Sequence, residues 1–229
     1  MKSVLIAAGI FCVALIGIAY YFATQDGGSG PRLMALDIAY EERVERGAWV
    51  KGAAEPTVTL VEYADFQCPG CRAIYPIIVE ALAETESFAR LEFHHYPLPF
   101  HNKAQLASQA AESAGRQGKF WEMHERLFVN QSAWEQQTVF EFRKTLEGYA
   151  QALDLNVEQF KRDMGDSKIK DNIDLDITKG DAVPVTGTPT LLLNGKQLDI
   201  ANPPLTTERL VSLINAAAAD PTPTATPGQ

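Results

Sequence analysis

The chain has 229 residues, a hydrophobic fraction of 46% and a formal net charge of −9. This length and apolar content suffice for one domain of ordinary size with a hydrophobic core. Binding to the phosphates of nucleic acid requires clustered lysine and arginine side chains, which the sequence does not contain. Nucleic acid is therefore not an expected partner.

An uncharged segment stands near the start of the chain. Residues from Ser3 to Ala23 are apolar enough, and long enough, to cross a bilayer as one helix. Lys2 precedes them, which favours a cytoplasmic N-terminus and an extracytoplasmic location for the remaining chain. A cleaved signal peptide is the alternative, but the bulky Tyr21 makes a poor cleavage site. We predict a single-pass anchor in the cell membrane at residues 1–24, with a secreted or periplasmic protein as the alternative.

Three segments follow the predicted anchor. Residues 25–47 contain a Gly- and Ser-rich spacer and a short amphipathic pattern, which predict a linker and a short helix. Residues 48–219 are predicted to form the folded domain. Residues 220–229 are rich in Pro and Thr, and we expect a disordered tail.

The pattern within the domain changes twice. An alternating strand at residues 57–63, an amphipathic helix and a second strand at residues 91–96 predict a βαβ unit. Helical periodicity then continues through residues of about 102–182, an all-helical insertion. A strand from Thr190, an Asn-Gly hairpin turn, a strand returning to Ile200 and a last amphipathic helix complete the domain.

Two cysteines separated by two residues stand where the first strand meets its helix. The spacing in Cys68-Pro69-Gly70-Cys71 brings both thiols within one helical turn, so a disulfide could form and break with little movement. The same spacing supplies half of many zinc sites, so a metal site is the alternative. A disulfide that closes so short a loop adds little stability, which favours a redox role in an oxidising compartment.

Histidines are the other candidate zinc ligands. His94 and His95 are adjacent on a predicted strand, so their side chains point to opposite faces and cannot easily bind one ion. His101 stands at a predicted helix start, where polar residues are common as caps. We therefore predict no metal site.

A glutamate on the first predicted strand is the remaining candidate for chemistry. Glu62 lies on the same strand face as Val58 and Leu60, so we expect it to be buried with a raised pKa. A carboxyl group in that state could relay a proton. The alternative is a glutamate at the end of the strand that reaches solvent.

The order of these motifs resembles that of the DsbA-like thiol-disulfide oxidoreductases of the thioredoxin superfamily. The resemblance covers about residues Trp49 to Ala218. The matched positions, in chain order, are Glu62, Asp65-Phe66-Gln67, Cys68-Pro69-Gly70-Cys71, Pro76 and Thr188-Pro189. With the N-terminal helix, the expected architecture is α/β: a transmembrane helix followed by a thioredoxin-like fold that carries an all-helical insertion.

The resemblance implies a role for each cysteine. Cys68 is expected to be the exposed nucleophile, because the N–H groups and the dipole at the helix start favour its thiolate. Cys71 is expected to be the resolving thiol that closes the Cys68–Cys71 disulfide. Glu62 is expected to relay a proton to or from Cys71.

The resemblance also implies how a substrate would bind. Thr188 and Pro189 match the residues at the cis-proline of the family, where the backbone of Thr188 could pair with an extended peptide. Pro69 and Gly70 are expected to contact the same substrate. In a well-known pattern of this family a histidine, whose charge would help to hold a thiolate, stands at the position of Gly70. Glycine cannot do this, so the sequence leaves the oxidising strength of the cysteine pair open.

The expected function is oxidation of cysteine pairs in secreted or membrane proteins, outside the cytoplasm. The resemblance implies a monomer without a cofactor, whose substrates are cysteine-containing polypeptides and which a membrane redox partner reoxidises. A disulfide reductase or isomerase on the same fold is one alternative. A non-catalytic zinc or peptide-binding module is the other.

Overall fold

The computed structural model describes Arg43, residues 47–183 and residues 185–220. The predicted anchor, the spacer and nearly all of the predicted short helix lie outside the described residues, as do residues 221–229 of the predicted tail. Within the described ranges, no helix is both long enough and apolar enough to cross a bilayer.

A five-stranded sheet forms the centre of the described domain, with the order β1-β3-β2-β4-β5. β2 and β3 run parallel, whereas β1, β4 and β5 each pair antiparallel with a neighbour. The strands are β1 (Trp49–Gly52), β2 (Val58–Ala64), β3 (Ala89–His95), β4 (Thr190–Leu193) and β5 (Lys196–Gln197).

The first helix joins the two parallel strands and so completes the βαβ unit. Six further helices lie between β3 and β4, and one follows β5, among the residues that the structure describes. The helices are α1 (Pro69–Thr85), α2 (Ala104–Gly115), α3 (Phe120–Val129), α4 (Gln131–Trp134), α5 (Val139–Ala152), α6 (Val157–Asp163), α7 (Ser167–Ala182) and α8 (Thr207–Ala219). The fold is thus the expected thioredoxin-like α/β arrangement with a helical segment inserted before β4.

The edge strands differ from the prediction. β1 has four residues, too few to show a period in sequence, and it forms because its backbone pairs with β3 from Trp49 opposite Phe93 onward. β5 ends after two residues rather than reaching Ile200. Its short length follows from the carboxylate of Asp199, which accepts hydrogen bonds from two backbone N–H groups beyond it and turns the chain.

The hydrophobic core lies mainly on one face of the sheet. Apolar side chains of β2, β3 and β4 pack there against α1 and α8. A second cluster extends this core into the insertion. There the ring centroids of Phe66 and Phe93 lie 5.5 Å apart, and both rings pack against aromatic side chains of α3. The opposite face contacts α7 at Gly180, where a Cβ atom would stand 2.6 Å from the ring of Tyr96. The absence of a side chain at this position lets α7 approach the sheet.

A buried ion cluster connects the insertion to the sheet. The guanidinium of Arg43 lies 2.9 Å from Asp176 on α7 and 3.0 Å from Glu112 on α2. His95 Nε2 lies 3.2 Å from Glu112, and Trp49 donates a 2.8 Å hydrogen bond to it. Burial alone would raise the pKa of Glu112, but these partners lower it to about 2. Four elements that are distant in sequence, β1, β3, α2 and α7, are therefore held together by compensated charges and a hydrogen bond.

We predict that Arg43→Met lowers the free energy of unfolding by about 3 kcal/mol, because it leaves two buried carboxylates without their cation. Urea unfolding at pH 7 measures the change. Lys161→Met is the matched control, since Lys161 pairs with Glu158 at the surface, and its loss should stay below about 0.5 kcal/mol. Equal losses in the two variants would contradict a stabilising role for the cluster.

Candidate active site

Cys68 stands at the junction between β2 and α1. It is the residue that caps the N-terminus of α1, with extended backbone angles (φ −73°, ψ 122°), and Pro69 begins the helix. Proline suits this first position because the N–H that it lacks would have no partner in the helix. The backbone N–H groups of the first turn are thus directed toward the Cys68 side chain.

The two thiols are both free and differ in exposure. Cys68 is 8% exposed and Cys71 is fully buried. Cys68 is therefore less exposed than predicted, because the loop before β4 covers it. Its Sγ lies 3.2 Å from the carbonyl oxygen of Thr188, which accepts a hydrogen bond from Cys68 when the thiol is protonated.

The two thiols also differ in acidity. The hydrogen bond from the Cys71 thiol is the largest influence on Cys68; burial opposes it, and the backbone N–H groups of Gly70 and Cys71 assist it. Together they lower the pKa of Cys68 to about 5. Burial raises the pKa of Cys71 well above its usual value, and the hydrogen bond to Cys68 adds to this. The site thus holds one thiolate and one thiol at neutral pH.

Most of the predicted substrate-binding residues meet around Cys68. The peptide bond between Thr188 and Pro189 is cis, as the resemblance implies. A Cβ atom at Gly70 would lie 3.1 Å from Pro189 Cδ and 3.6 Å from Cys68 Sγ. Glycine therefore permits close contact between the start of α1 and this proline. Pro69 is exposed beside them.

Glu62 lies beneath this site on β2. It is 2% exposed, and burial raises its pKa to about 8. The predicted burial of this side chain is confirmed. Its charged form would raise the pKa of Cys71 further. The side chain lines a cavity of about 300 Å³ together with Tyr75, Trp121 and His124.

One residue of the insertion holds the loop that carries Cys68. Gln131, fully buried at the start of α4, donates hydrogen bonds of 2.7 Å to the carbonyl of Phe66 and 2.9 Å to that of Cys68. No pattern in the sequence predicts this role, because a single glutamine between two helices has no characteristic spacing. The contact depends on the packing of the insertion against α1.

The three histidines that were considered as zinc ligands contact two separate groups of acids, Asp65 in one and Glu112 and Asp176 in the other. His101 Nδ1 lies 2.6 Å from Asp65 Oδ2, and His94 Nδ1 lies 3.0 Å from Asp176. One atom each of His95, Glu112 and Asp176 lie within 4.8 Å of one another, a spacing that a metal ion could use. The guanidinium of Arg43 pairs with both of these carboxylates, so a cation from the chain itself already compensates them.

Sequence relatives match only part of their own length. The chain is 39% identical over 150 residues to Na(+)/H(+) antiporter NhaA 3 of Salinispora tropica, which covers 65% of this chain and 22% of that protein. It is 34% identical over 195 residues to Na(+)/H(+) antiporter NhaA 1 of Mycolicibacterium gilvum, and this match covers 84% of this chain and 30% of that protein. The chain spans less than a third of the length of these curated relatives.

Several solved structures share the fold. BdbD of Bacillus subtilis has a TM-score of 0.63 at 24% identity and covers 76% of this chain and 94% of its own. A thioredoxin-like oxidoreductase of Silicibacter pomeroyi has a TM-score of 0.61 at 22% identity, covering 80% and 97%. MdbA of Actinomyces oris, a thiol-disulfide oxidoreductase, has a TM-score of 0.60 at 18% identity, covering 74% and 88%.

A family model described as Thioredoxin matches residues 44–216, which is well over half of the chain. The matched region contains both cysteines, the cis-proline and the whole helical insertion. The chain therefore belongs to the thioredoxin family, as a member with the DsbA-like fold.

Proposed function

We propose that the protein is an extracytoplasmic thiol-disulfide oxidoreductase that oxidises cysteine pairs of secreted or membrane proteins. The observation that carries this proposal is the difference between the two thiols, with the pKa of Cys68 lowered to about 5 and that of Cys71 raised. Interactions that favour the Cys68 thiolate stabilise the reduced pair. A pair whose reduced form is stabilised is the stronger oxidant.

The reaction begins from the Cys68–Cys71 disulfide. A substrate thiolate attacks Cys68 Sγ, a substrate–Cys68 disulfide forms, and Cys71 leaves as a thiolate and takes up a proton. A second substrate thiolate attacks the substrate sulfur of this mixed disulfide, and Cys68 leaves as a thiolate. Two electrons pass from the substrate to the cysteine pair. When the second thiolate does not arrive, Cys71 attacks Cys68 and expels the substrate.

Glu62 is the group that we assign to proton transfer with Cys71. Its carboxyl is buried, and a pKa of about 8 lets it give or take a proton near neutral pH. Thr188 and Pro189 are assigned to substrate binding, together with the exposed Pro69 and with Gly70. Their proximity to Cys68 supports an extended substrate that passes beside the thiolate.

The cellular setting belongs to the same proposal. The apolar segment at residues 3–23 supports an anchor in the cell membrane, with the domain on the extracytoplasmic side. A membrane redox partner would return the reduced pair to the disulfide, without a bound cofactor. We propose that the protein acts as a monomer.

A reductase or isomerase is the second candidate, and Gly70 is the observation that favours it. A residue between the cysteines can stabilise the Cys68 thiolate through a charged or hydrogen-bonding side chain, which glycine lacks. A weaker preference for the thiolate would make the disulfide a weaker oxidant. The reduction potential of the Cys68–Cys71 pair, measured against glutathione, separates the two directions.

We predict that Cys68 reacts with iodoacetamide with a midpoint near pH 5, because only its thiolate is nucleophilic and its pKa is about 5. The rate of alkylation of the reduced protein is measured between pH 3 and pH 9. Cys68→Ser, which leaves Cys71 as the remaining thiol of the pair, is the control and should react very slowly across this range. A Cys68 midpoint near pH 9 would contradict the assignment.

We predict that Cys71→Ser accumulates mixed disulfides with a peptide disulfide. The Cys68 thiolate attacks the peptide disulfide and expels one peptide thiolate, and without Cys71 no internal thiol can displace the other. Non-reducing electrophoresis with mass spectrometry measures the adduct. Cys68→Ser should form none within the Cys68–Cys71 motif, and a Cys71→Ser variant that forms none on Cys68 would refute the proposed chemistry.

We predict that Glu62→Gln makes the reduced protein more stable at pH 8 by about 4 kcal/mol, with little difference at pH 4. The folded-state pKa of about 8 lies above the ordinary glutamate value of 4.5. Wild-type stability is therefore fully present below pH 4.5 and is lost as the pH rises toward 8. Urea unfolding of the wild type and of Glu62→Gln at both pH values measures the difference in the free energy of unfolding. The solvated Glu84→Gln should show no such pH-dependent gain, and the same gain there would contradict the burial effect.

A further inference from the structure

We infer that Asp65 and His101 are positioning residues that hold the active-site turn in the geometry needed for Cys71 to displace a substrate from Cys68. This inference rests on the proposed function. Asp65 connects to both cysteines through its backbone, and His101 fixes Asp65 through its side chain. His101 therefore acts on the sulfur chemistry through Asp65 without touching it.

The backbone of Asp65 contacts each half of the redox pair. Its N–H lies 3.5 Å from Cys71 Sγ and donates a hydrogen bond to it. Its carbonyl oxygen accepts a 3.0 Å hydrogen bond from the N–H of Cys68. Rotation of either peptide that flanks Asp65 would disturb one of these contacts. The orientation of this residue thus acts on the sulfur of Cys71 directly, and on Cys68 only through its backbone.

The side chain of Asp65 fixes that orientation. Its carboxylate is fully buried and accepts hydrogen bonds from the N–H groups of Gln67, at 2.7 Å, and Leu98, at 2.9 Å. His101 Nδ1 stands 2.6 Å from Oδ2, and a proton on Nδ1 makes the ring the third hydrogen-bond donor to this carboxyl group. A buried carboxylate without such donors would be costly, so the three donors keep it in one place.

His101 lies in the loop between β3 and α2, which makes this contact a link between two separate loops. Its N–H donates to the carbonyl of Leu98, and its own carbonyl accepts from Ala104 at the start of α2. Its ring packs edge-on against Phe100, with 4.7 Å between the centroids. These contacts attach the loop to the insertion, and the His101 side chain in turn restrains Asp65.

The step that depends on this arrangement is resolution of the mixed disulfide. The Cys71 thiolate attacks Cys68 Sγ, the Cys71–Cys68 bond forms, the bond from Cys68 to the substrate breaks, and the substrate sulfur leaves as a thiolate. The N–H of Asp65 lowers the pKa of Cys71 against the effect of burial. A turn that is free to rotate would lose this donor at the moment when Cys71 needs a negative charge. The attack of Cys68 on a substrate does not require it.

Glutathione disulfide tests the two steps separately in the full-length reduced protein. The Cys68 thiolate first forms a Cys68–glutathione disulfide and releases one glutathione thiolate; Cys71 then expels the second glutathione and closes the Cys68–Cys71 disulfide. Acid quenching and mass spectrometry follow both species with time. His101→Ala should leave the first step unchanged and slow the second about tenfold, the effect of losing one hydrogen bond to a charged group.

Two variants separate the hydrogen bond from the shape of the loop. His101→Asn places an amide N–H donor near the position of Nδ1. It should restore the rate of the second step to within about threefold of wild type, because the hydrogen bond to Asp65 can form again. Phe100→Ala removes the exposed neighbouring ring, keeps the hydrogen bond and should resolve at the wild-type rate. Circular dichroism verifies that each variant is folded. Should His101→Ala not fold, Asp65→Asn keeps the shape, removes the charge and should slow the same step.

The outcomes distinguish this inference from the proposed function. A wild-type protein that forms neither the Cys68–glutathione disulfide nor the Cys68–Cys71 disulfide would refute the oxidoreductase itself. A wild type that forms and resolves it, with a folded His101→Ala variant that resolves equally fast, would overturn the positioning role alone. Failure of His101→Asn to restore the rate, or equal slowing by Phe100→Ala, would also overturn it.

Discussion

The start of α1 places two sulfur atoms one helical turn apart in different surroundings, and the rest of the site depends on this constraint. Cys68 caps the helix, where unpaired backbone N–H groups stabilise a thiolate, whereas Cys71 lies inside the first turn without access to water. Because the two thiols share a hydrogen bond, the factors that stabilise one charge disfavour the other. The difference in reactivity therefore comes from the position of the motif rather than from the cysteines themselves.

The helical insertion supports the site by fixing backbone rather than by supplying reactive groups. Gln131 binds two carbonyls of the loop before α1, and His101 binds Asp65 from the loop that leads into α2. The insertion is in turn attached to the sheet by Trp49 and His95, which both contact Glu112 on α2. The guanidinium of Arg43 pairs with the acids on α2 and α7 beside them. Its position on the sheet is thus fixed by buried polar contacts, which require definite geometry, as well as by apolar packing.

Glu62 shows how stability and chemistry compete in this fold. An uncompensated acid beneath the sheet surface costs folding free energy at high pH, because the carboxyl must stay protonated to remain buried. The same burial brings its pKa close to neutral, where a proton can be exchanged with a neighbouring thiol. The adjoining cavity of about 300 Å³ leaves room beside the carboxyl within an otherwise close-packed core.

Local patterns in the sequence determined the βαβ unit, the helical insertion, the Asn-Gly turn and the cysteine pair, because periodicity and turn chemistry act over a few residues. The turn itself forms with positive φ at Asn194 and Gly195. Strand β1 and the contacts of Gln131 and Arg43 were decided only by the tertiary structure. Arg43 and Asp176 are 133 residues apart, and no local pattern shows that an acid on an amphipathic helix will face a buried cation. Short-range patterns thus determine the secondary-structure elements and identify the cysteine pair. Long-range packing decides which polar groups surround that pair.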